Sequence, residues 1–169
     1  MTEALLATSG IKVFDAEYLQ ASAAATATDL ATGDHIKFDS VVLSAGTSIT
    51  LDTATPYTNV NNVASVGRFT LAAGHTYRLF GCAAYMQGSV ADSIVDYAWF
   101  NADTGVAIGN SGRIQASARA TNDNGDGTVA TLFSPSVSTR VEIRYTGNLN
   151  AAQVGAATIL PWAIIERIS

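Results

Sequence analysis

The sequence is poor in charged residues. Only 14% of its 169 residues are charged, against about 25% in a typical soluble protein. So little charge on so small a protein predicts that part of its surface is covered by a partner or by further copies of the chain. A surface rich in Ser, Thr and Asn would also stay soluble without charges, so both explanations remain open.

Lysine, cysteine and long apolar runs are also scarce. Lys12 and Lys37 are the only lysines, the arginines are scattered, and the net charge is -5. Because affinity for nucleic acid comes largely from cations that neutralise phosphates, we expect no nucleic-acid partner. Cys82 stands alone, which excludes an intrachain disulfide and a cysteine-rich metal site, and we expect it to be a small buried hydrophobe.

No apolar run reaches the roughly 20 residues that span a bilayer. The first six residues hold an early acid and no basic stretch, unlike a secretory signal. We therefore expect no membrane partner and synthesis in the cytoplasm.

The groups that could carry chemistry are not arranged for it. Residues 122–127 (Asn-Asp-Asn-Gly-Asp-Gly) superficially resemble a calcium loop, but the spacing of an EF-hand is missing and Asn-Gly and Asp-Gly favour plain turns. A weak cation site there stays open. His35 and His75 form no pair at ligand spacing, so we expect surface or inter-subunit histidines. Asp92 and Asp96 would lie about 13 Å apart on a strand, too far for a glycosidase pair. We expect no enzyme, no catalytic residue, no cofactor and no metal site.

Alternating side chains dominate what is present. In residues 138–146, Val141, Ile143 and Tyr145 alternate with Arg140, Glu142 and Arg144, and a period of two indicates a strand with one apolar and one charged face. Similar short stretches recur from residue 36 onward between Gly, Asn, Asp and Pro. This pattern predicts an all-β antiparallel jelly-roll sandwich of about eight or more strands.

The predicted strand 76–86 is apolar on both faces. Antiparallel strands with one wet face alternate cleanly. We therefore expect this strand to be buried twice, by its own core and by either another layer or another subunit.

Two segments are expected: an N-terminal arm over residues 1–33 and the jelly-roll domain over residues 34–169. The arm carries apolar side chains and then a low-complexity Ala/Thr stretch. We expect a neighbouring subunit to hold it, although docking on its own domain would also serve. The candidate contact residues of the arm are Leu5, Leu6, Ile11, Phe14 and Tyr18.

Gly67, Phe69, Gly74 and Tyr77, followed by a long apolar strand and an apolar final strand with Trp162, form a pattern that resembles the C1q/TNF-like jelly-roll. The spacing from Gly74 to Tyr77 is one residue longer than is usual in that family, and the resemblance covers roughly residues 36–169. It implies a homotrimer packed around a three-fold axis. The implied trimer-interface residues are Tyr77, Leu79, Phe80, Tyr85, Met86 and Trp162.

The Ala/Thr-rich, low-charge style also resembles bacteriophage virion proteins. The implied function is a trimeric capsid decoration, or cement, protein on the outer surface of the virion, bound to the major capsid protein or another virion protein. The alternative is the receptor-binding tip of a head or tail fibre, whose loops 52–66 and 121–128 would contact a host glycan or protein. A free C1q-like or lectin-like module is a third possibility.

Overall fold

The computed structural model describes residues 16–23, 27–28, 32–58, 64–82, 86–88, 93–116, 127–147, 151–154 and 160–169. Within these ranges every regular element is a β-strand. The strands are β1 (Glu17–Ser22), β2 (Ala27–Thr28), β3 (Ser40–Ala45), β4 (Ile49–Asp52), β5 (Tyr57–Thr58), β6 (Ala64–Ser65), β7 (Arg68–Leu71), β8 (Tyr77–Cys82), β9 (Met86–Gly88), β10 (Ser93–Asn101), β11 (Ala107–Ala116), β12 (Val129–Phe133), β13 (Thr139–Gly147), β14 (Ala151–Val154) and β15 (Trp162–Arg167).

Two five-stranded antiparallel sheets make up the sandwich. The first sheet has the order β12-β8-β15-β1-β3, and the second has the order β11-β10-β13-β7-β4. A three-stranded sheet, β2-β14-β9, and a two-stranded sheet, β5-β6, accompany them. The predicted fold class is therefore confirmed.

Side-chain alternation places the core between the two sheets. On β13, Val141 and Ile143 have no exposed surface and Tyr145 keeps 1%, so the predicted strand 138–146 is confirmed together with its apolar face. Phe69 lies at the centre of an aromatic group, with its ring centroid 5.4 Å from that of Phe38 and 5.9 Å from that of Trp99. Such large apolar rings supply much of the burial that stabilises a small domain.

Two connections show how consecutive strands are distributed between the sheets. β10 pairs with β11 in a hairpin through the turn at Asp103 and Gly105. The chain passes Pro135 from β12 in the first sheet to β13 in the second, so the two strands lie in different layers.

Within the predicted arm over residues 1–33, the described residues pack on their own domain, which is the second of the two alternatives given above. β1 lies inside the first sheet, between β15 and β3, with Leu19 and Ala21 buried in the core. Residues 33–36 extend the second sheet, because the amide of Ile36 donates to the carbonyl of Ile143 at 2.8 Å and the amide of Tyr145 donates to the carbonyl of Asp34 at 2.7 Å. Leu5, Leu6, Ile11 and Phe14, the other predicted arm contacts, lie outside the described residues.

Among the described residues, no helix is long and apolar enough to cross a membrane.

Candidate interaction surface

The outer face of the first sheet is apolar and open. The pairing register places its outward side chains in three rows across the strands. The middle row runs Ala130, Phe80, Ile164, Gln20, Leu43. We call the large hydrophobic side chains of this surface the apolar face: Tyr18, Leu43, Phe80, Leu132, Trp162 and Ile164.

These side chains remain accessible in the single chain. Leu132 is 60% exposed and Leu43 is 53% exposed, while Phe80, Trp162 and Ile164 are half-buried. Contiguous exposed apolar surface marks an interaction site more often than it marks an ordinary surface.

One ion pair crosses the apolar face. Arg78 on β8 lies beside Glu166 on β15, with a nitrogen–oxygen distance of 2.8 Å. On the described outward rows of the five strands these two residues carry the only charges. Leu132 and Tyr18 flank the pair in the same row. The pair thus places a fixed polar point within an otherwise apolar surface.

The outer face of the second sheet has the opposite character. Arg113 pairs with Asp96 at 2.6 Å, and Arg140 pairs with Asp103 at 2.6 Å. Two faces of one sandwich that differ this much in charge indicate that they meet different environments.

Glu142 is the centre of this ionic face. It is 1% exposed, and its carboxylate accepts hydrogen bonds from Arg68 at 2.7 Å and Arg144 at 2.5 Å. Burial acts to raise the pKa of Glu142, but the two guanidinium groups outweigh it and hold the pKa below its ordinary value. Arg144 also lies over the ring of Phe100, 4.9 Å from its centroid.

His75 lies at the surface, as expected, but His35 does not. His35 is buried beside Arg144 rather than on the surface. Burial lowers the pKa of His35 to about 4, against the attraction of Glu142 and with the help of the Arg68 and Arg144 charges. His75 lies at the surface, where its Nδ1 is 3.2 Å from the carbonyl of Ser169.

The predicted trimer-interface residues separate into three groups. Phe80 and Trp162 lie on the apolar face. Tyr77 and Leu79 have no exposed surface and point into the core, so their side chains have no area to offer a second subunit, and this part of the assignment is corrected. Tyr85 and the side chain of Met86 lie outside the described residues.

Sequence reasoning missed Ile164, Leu132 and Leu43. Ile164 could have been found, because it lies two residues after Trp162 and shares its face. Leu132 and Leu43 join the face only through pairing with distant strands, which the sequence does not show. Tyr18, predicted as an arm contact, also lies on this face. Cys82 is buried as predicted.

Two clefts lined by described residues are small. Their volumes are about 190 Å³ beside Tyr18 and Glu166 and about 60 Å³ beside Arg68 and Arg140, below the roughly 300–1,000 Å³ of typical ligand sites. The described residues contain no group of three or more His, Cys, Asp or Glu side chains that could hold a metal ion. Residues 59–63 of the first predicted binding loop and residues 121–126 of the second lie outside the described residues, so the cation site at 121–128 stays a prediction.

Comparison with known proteins gives likeness in structure only. No family model matches the chain, and no curated protein matches it in sequence. Murine APRIL is similar with a TM-score of 0.54 at 11% identity, over 90% of this chain and 99% of that one. The globular domain of zebrafish complement 1qA has a TM-score of 0.49 at 10% identity, over 90% and 95% of the two chains. PRD1 vertex protein P5 has a TM-score of 0.45 at 16% identity, over 94% and 99%. At 11% identity the likeness to APRIL shows the fold alone, and that fold is the TNF/C1q-like jelly-roll.

Proposed function

We propose that the chain is a non-enzymatic structural protein that forms a homotrimer through the apolar face and decorates the outer surface of a virion. The observation that carries the trimer is the contrast between the two sheets. The first sheet exposes Phe80, Trp162 and Ile164 around a single ion pair, while the second exposes paired arginines and carboxylates. Covering the first sheet removes apolar area from water, which is the dominant favourable contribution to most protein–protein association.

The finer part of the proposal is attachment to a shell. The low charge of the chain and the apolar residues Leu5, Leu6, Ile11 and Phe14 before β1 support it. In this mechanism residues 1–15 contact the major capsid protein or another virion protein, and three such contacts in one trimer reinforce each other through multivalency.

A matched pair of substitutions tests the trimer. Leu132 on the apolar face and Val106 in the turn before β11 are 60% and 63% exposed, so an aspartate at either position leaves the core of one subunit intact. Leu132→Asp loses about 1.5–3 kcal/mol of burial at each of the three interfaces and adds a charge there. We expect wild type and Val106→Asp to sediment as trimers and Leu132→Asp to dissociate. A wild-type monomer, or a Leu132→Asp trimer as stable as wild type, contradicts the proposal.

Deletion of residues 1–15 tests attachment. The first described strand of the sandwich begins at Glu17, so we expect the truncated protein to remain a folded trimer and to lose binding to shells that carry no decoration protein. Undiminished binding contradicts the shell-contacting arm.

A second candidate is the receptor-binding tip of a fibre. The cleft of about 60 Å³ lined by Asp52, Thr55, Arg68, Thr70 and Arg140 favours it, because this polar cleft lies on the second sheet and stays accessible when the first is covered. Particles that lack a fibre tip lose adsorption to host cells, whereas particles that lack a decoration protein lose resistance to heat or to low ionic strength.

A further inference from the structure

The side chains of the edge strand β3 are unusually exposed to solvent. All of its residues except Ala45 are exposed, and Val41, Val42 and Leu43 are 47%, 54% and 53% exposed. Leu43 lies opposite Gln20 on the outer face, while Val41 lies opposite the core residue Ala21. Both faces of β3 are therefore open among the described residues.

The outer edge of β3 suits an added strand. β3 pairs with β1 on one side, and none of the described strands pairs with its other side. Its sequence, Ser-Val-Val-Leu-Ser-Ala, contains no charge and no proline, which are the residues that usually protect an exposed edge from pairing with another chain. An irregularity of the pairing at Val42 is its only protective feature.

We propose that residues 11–14 of a neighbouring copy add to this edge as a further strand. That segment reads Ile-Lys-Val-Phe, so two β-branched residues and an aromatic would cover Val41, Val42 and Leu43, and backbone hydrogen bonds would extend the sheet. On this inference Ile11 and Phe14 contact the neighbouring copy rather than the shell, and Leu5 and Leu6 remain for the shell contact. The inference needs neighbouring copies of the chain but does not depend on a virion location.

The position of residue 16 explains why the donor is a second copy. Ala16 precedes β1, and β3 separates β1 from the outer edge. Passing from the line of β1 to a strand beyond β3 spans two strand spacings, about 10 Å. The two residues from Ala16 to Phe14 cover at most about 7 Å. The turn at Gly46 and Thr47, which is bound to Glu17, also occupies that end of β3. Phe14 is therefore out of reach of the edge of its own chain, so the whole of residues 11–14 can dock there only from a neighbouring copy.

Cross-linking between two forms of the full chain tests the contact. A tagged Val13→Cys form and an untagged Val42→Cys form are expressed together, purified by the tag and mildly oxidised. We expect a disulfide-linked pair of chains. Val13→Cys with Val106→Cys is the control, and it should give no more product than wild type, whose native Cys82 is buried. A trimer in which Val13→Cys reacts equally with both positions, or with neither, overturns the inference. A Val13→Cys/Val42→Cys double variant that closes its disulfide within one chain also overturns it.

Trypsin provides a second readout that needs no new cysteine. Lys12 lies in the middle of the proposed added strand, so the bond between Lys12 and Val13 is protected while that strand is docked. Val42→Asp blocks the edge and introduces no new trypsin site. We expect cleavage after Lys12 to become about tenfold faster, because slow proteolysis follows the population of the open form. Val106→Asp should cleave like wild type.

The same samples are sedimented, so the two proposals fail separately. Equal cleavage rates in proteins that remain trimers overturn the added strand and leave the trimer standing. A wild-type monomer overturns the trimer whatever the cleavage rates are.

Discussion

Glu17 joins three distant parts of the chain at one end of the first sheet, and its removal should weaken the fold. One carboxylate oxygen accepts hydrogen bonds from the backbone amides of Thr47 at 2.8 Å and Ser48 at 2.7 Å. The other forms an ion pair with Arg167 on the neighbouring strand β15. These contacts hold the β3–β4 turn and the C-terminal strand against the start of β1.

The pKa of Glu17 gives the magnitude. The amide of Ser48, with further contributions from Thr47 and the charge of Arg167, lowers the pKa from 4.5 to about 2. Each pKa unit corresponds to about 1.4 kcal/mol, so the ionised carboxylate stabilises the folded state by about 3 kcal/mol at neutral pH. Glu17→Gln keeps the shape of the side chain and removes the charge. We expect it to lower the free energy of unfolding by about 2–3 kcal/mol, as for other hydrogen bonds to charged groups.

The assay is urea denaturation, followed by the fluorescence of the buried Trp99 at a fixed protein concentration, since subunit dissociation also shifts stability. The midpoint should fall by about 1 M urea. Asp96→Asn is the control, because it removes a carboxylate charge from an exposed pair with Arg113 on the second sheet, away from the proposed trimer surface, and such pairs contribute about 0–1 kcal/mol.

The pH dependence carries a definite sign. Because the folded pKa of Glu17 is depressed, its contribution is complete above pH 4.5 and is lost as the pH falls towards 2. The stability difference between wild type and Glu17→Gln should therefore shrink over that range. A difference that does not change with pH, or equal losses in Glu17→Gln and Asp96→Asn, refutes the reasoning.

Two further predictions concern the same end of the sandwich and the ionic face. Gly46 and Gly74 both have φ of +81°, but a Cβ at Gly46 would lie 2.2 Å from Cγ of Glu17, while one at Gly74 would meet nothing within 4 Å. Gly74→Ala should therefore lower the free energy of unfolding by about 1–2 kcal/mol through backbone strain, and Gly46→Ala should lower it clearly more. Equal losses in urea titrations would contradict the close contact between Glu17 and this turn. The pKa of His35 is depressed from 6.5 to about 4, so its stabilising contribution is complete above pH 6.5 and is lost as the pH falls to 4. The melting temperature of His35→Gln should therefore fall less than that of wild type between pH 6.5 and pH 4. An equal fall in the two proteins would exclude a role for His35.

Alternation along the chain was enough to find β13 and its apolar side. It also predicted that Arg140, Glu142 and Arg144 face water, which holds for Arg140 but not for Glu142, which is 1% exposed. Neighbouring elements cover Glu142, because Arg68 on β7 binds its carboxylate and residues 33–36 pair with β13 beside it. A period of two assigns a side chain to a face, but it does not show which neighbours cover that face.

β1 shows the second limit. Its sequence, Glu-Tyr-Leu-Gln-Ala-Ser, alternates between buried and half-buried side chains. The contrast is weak because alanine and serine are small and glutamate occupies a buried position. Its main partner is β15, which begins 140 residues further along the chain at Trp162. Only the pairing with β15 shows that residues 17–22 form an interior strand of the sheet, and nothing in the sequence of these residues alone indicates it.

The position of β1 also decides which experiments can separate folding from attachment. Glu17 holds the turn and the C-terminal strand, while Tyr18, the next residue, lies on the apolar face. A deletion of residues 1–33 therefore removes an interior strand, the contacts of Glu17 and part of the proposed trimer surface at once. A loss of shell binding would then have three explanations. A deletion that stops at residue 15 removes only the segment proposed to dock on β3 and the shell. Val42→Asp then separates docking on β3 from contact with the shell, because it blocks the edge of β3 and leaves Leu5 and Leu6 in place.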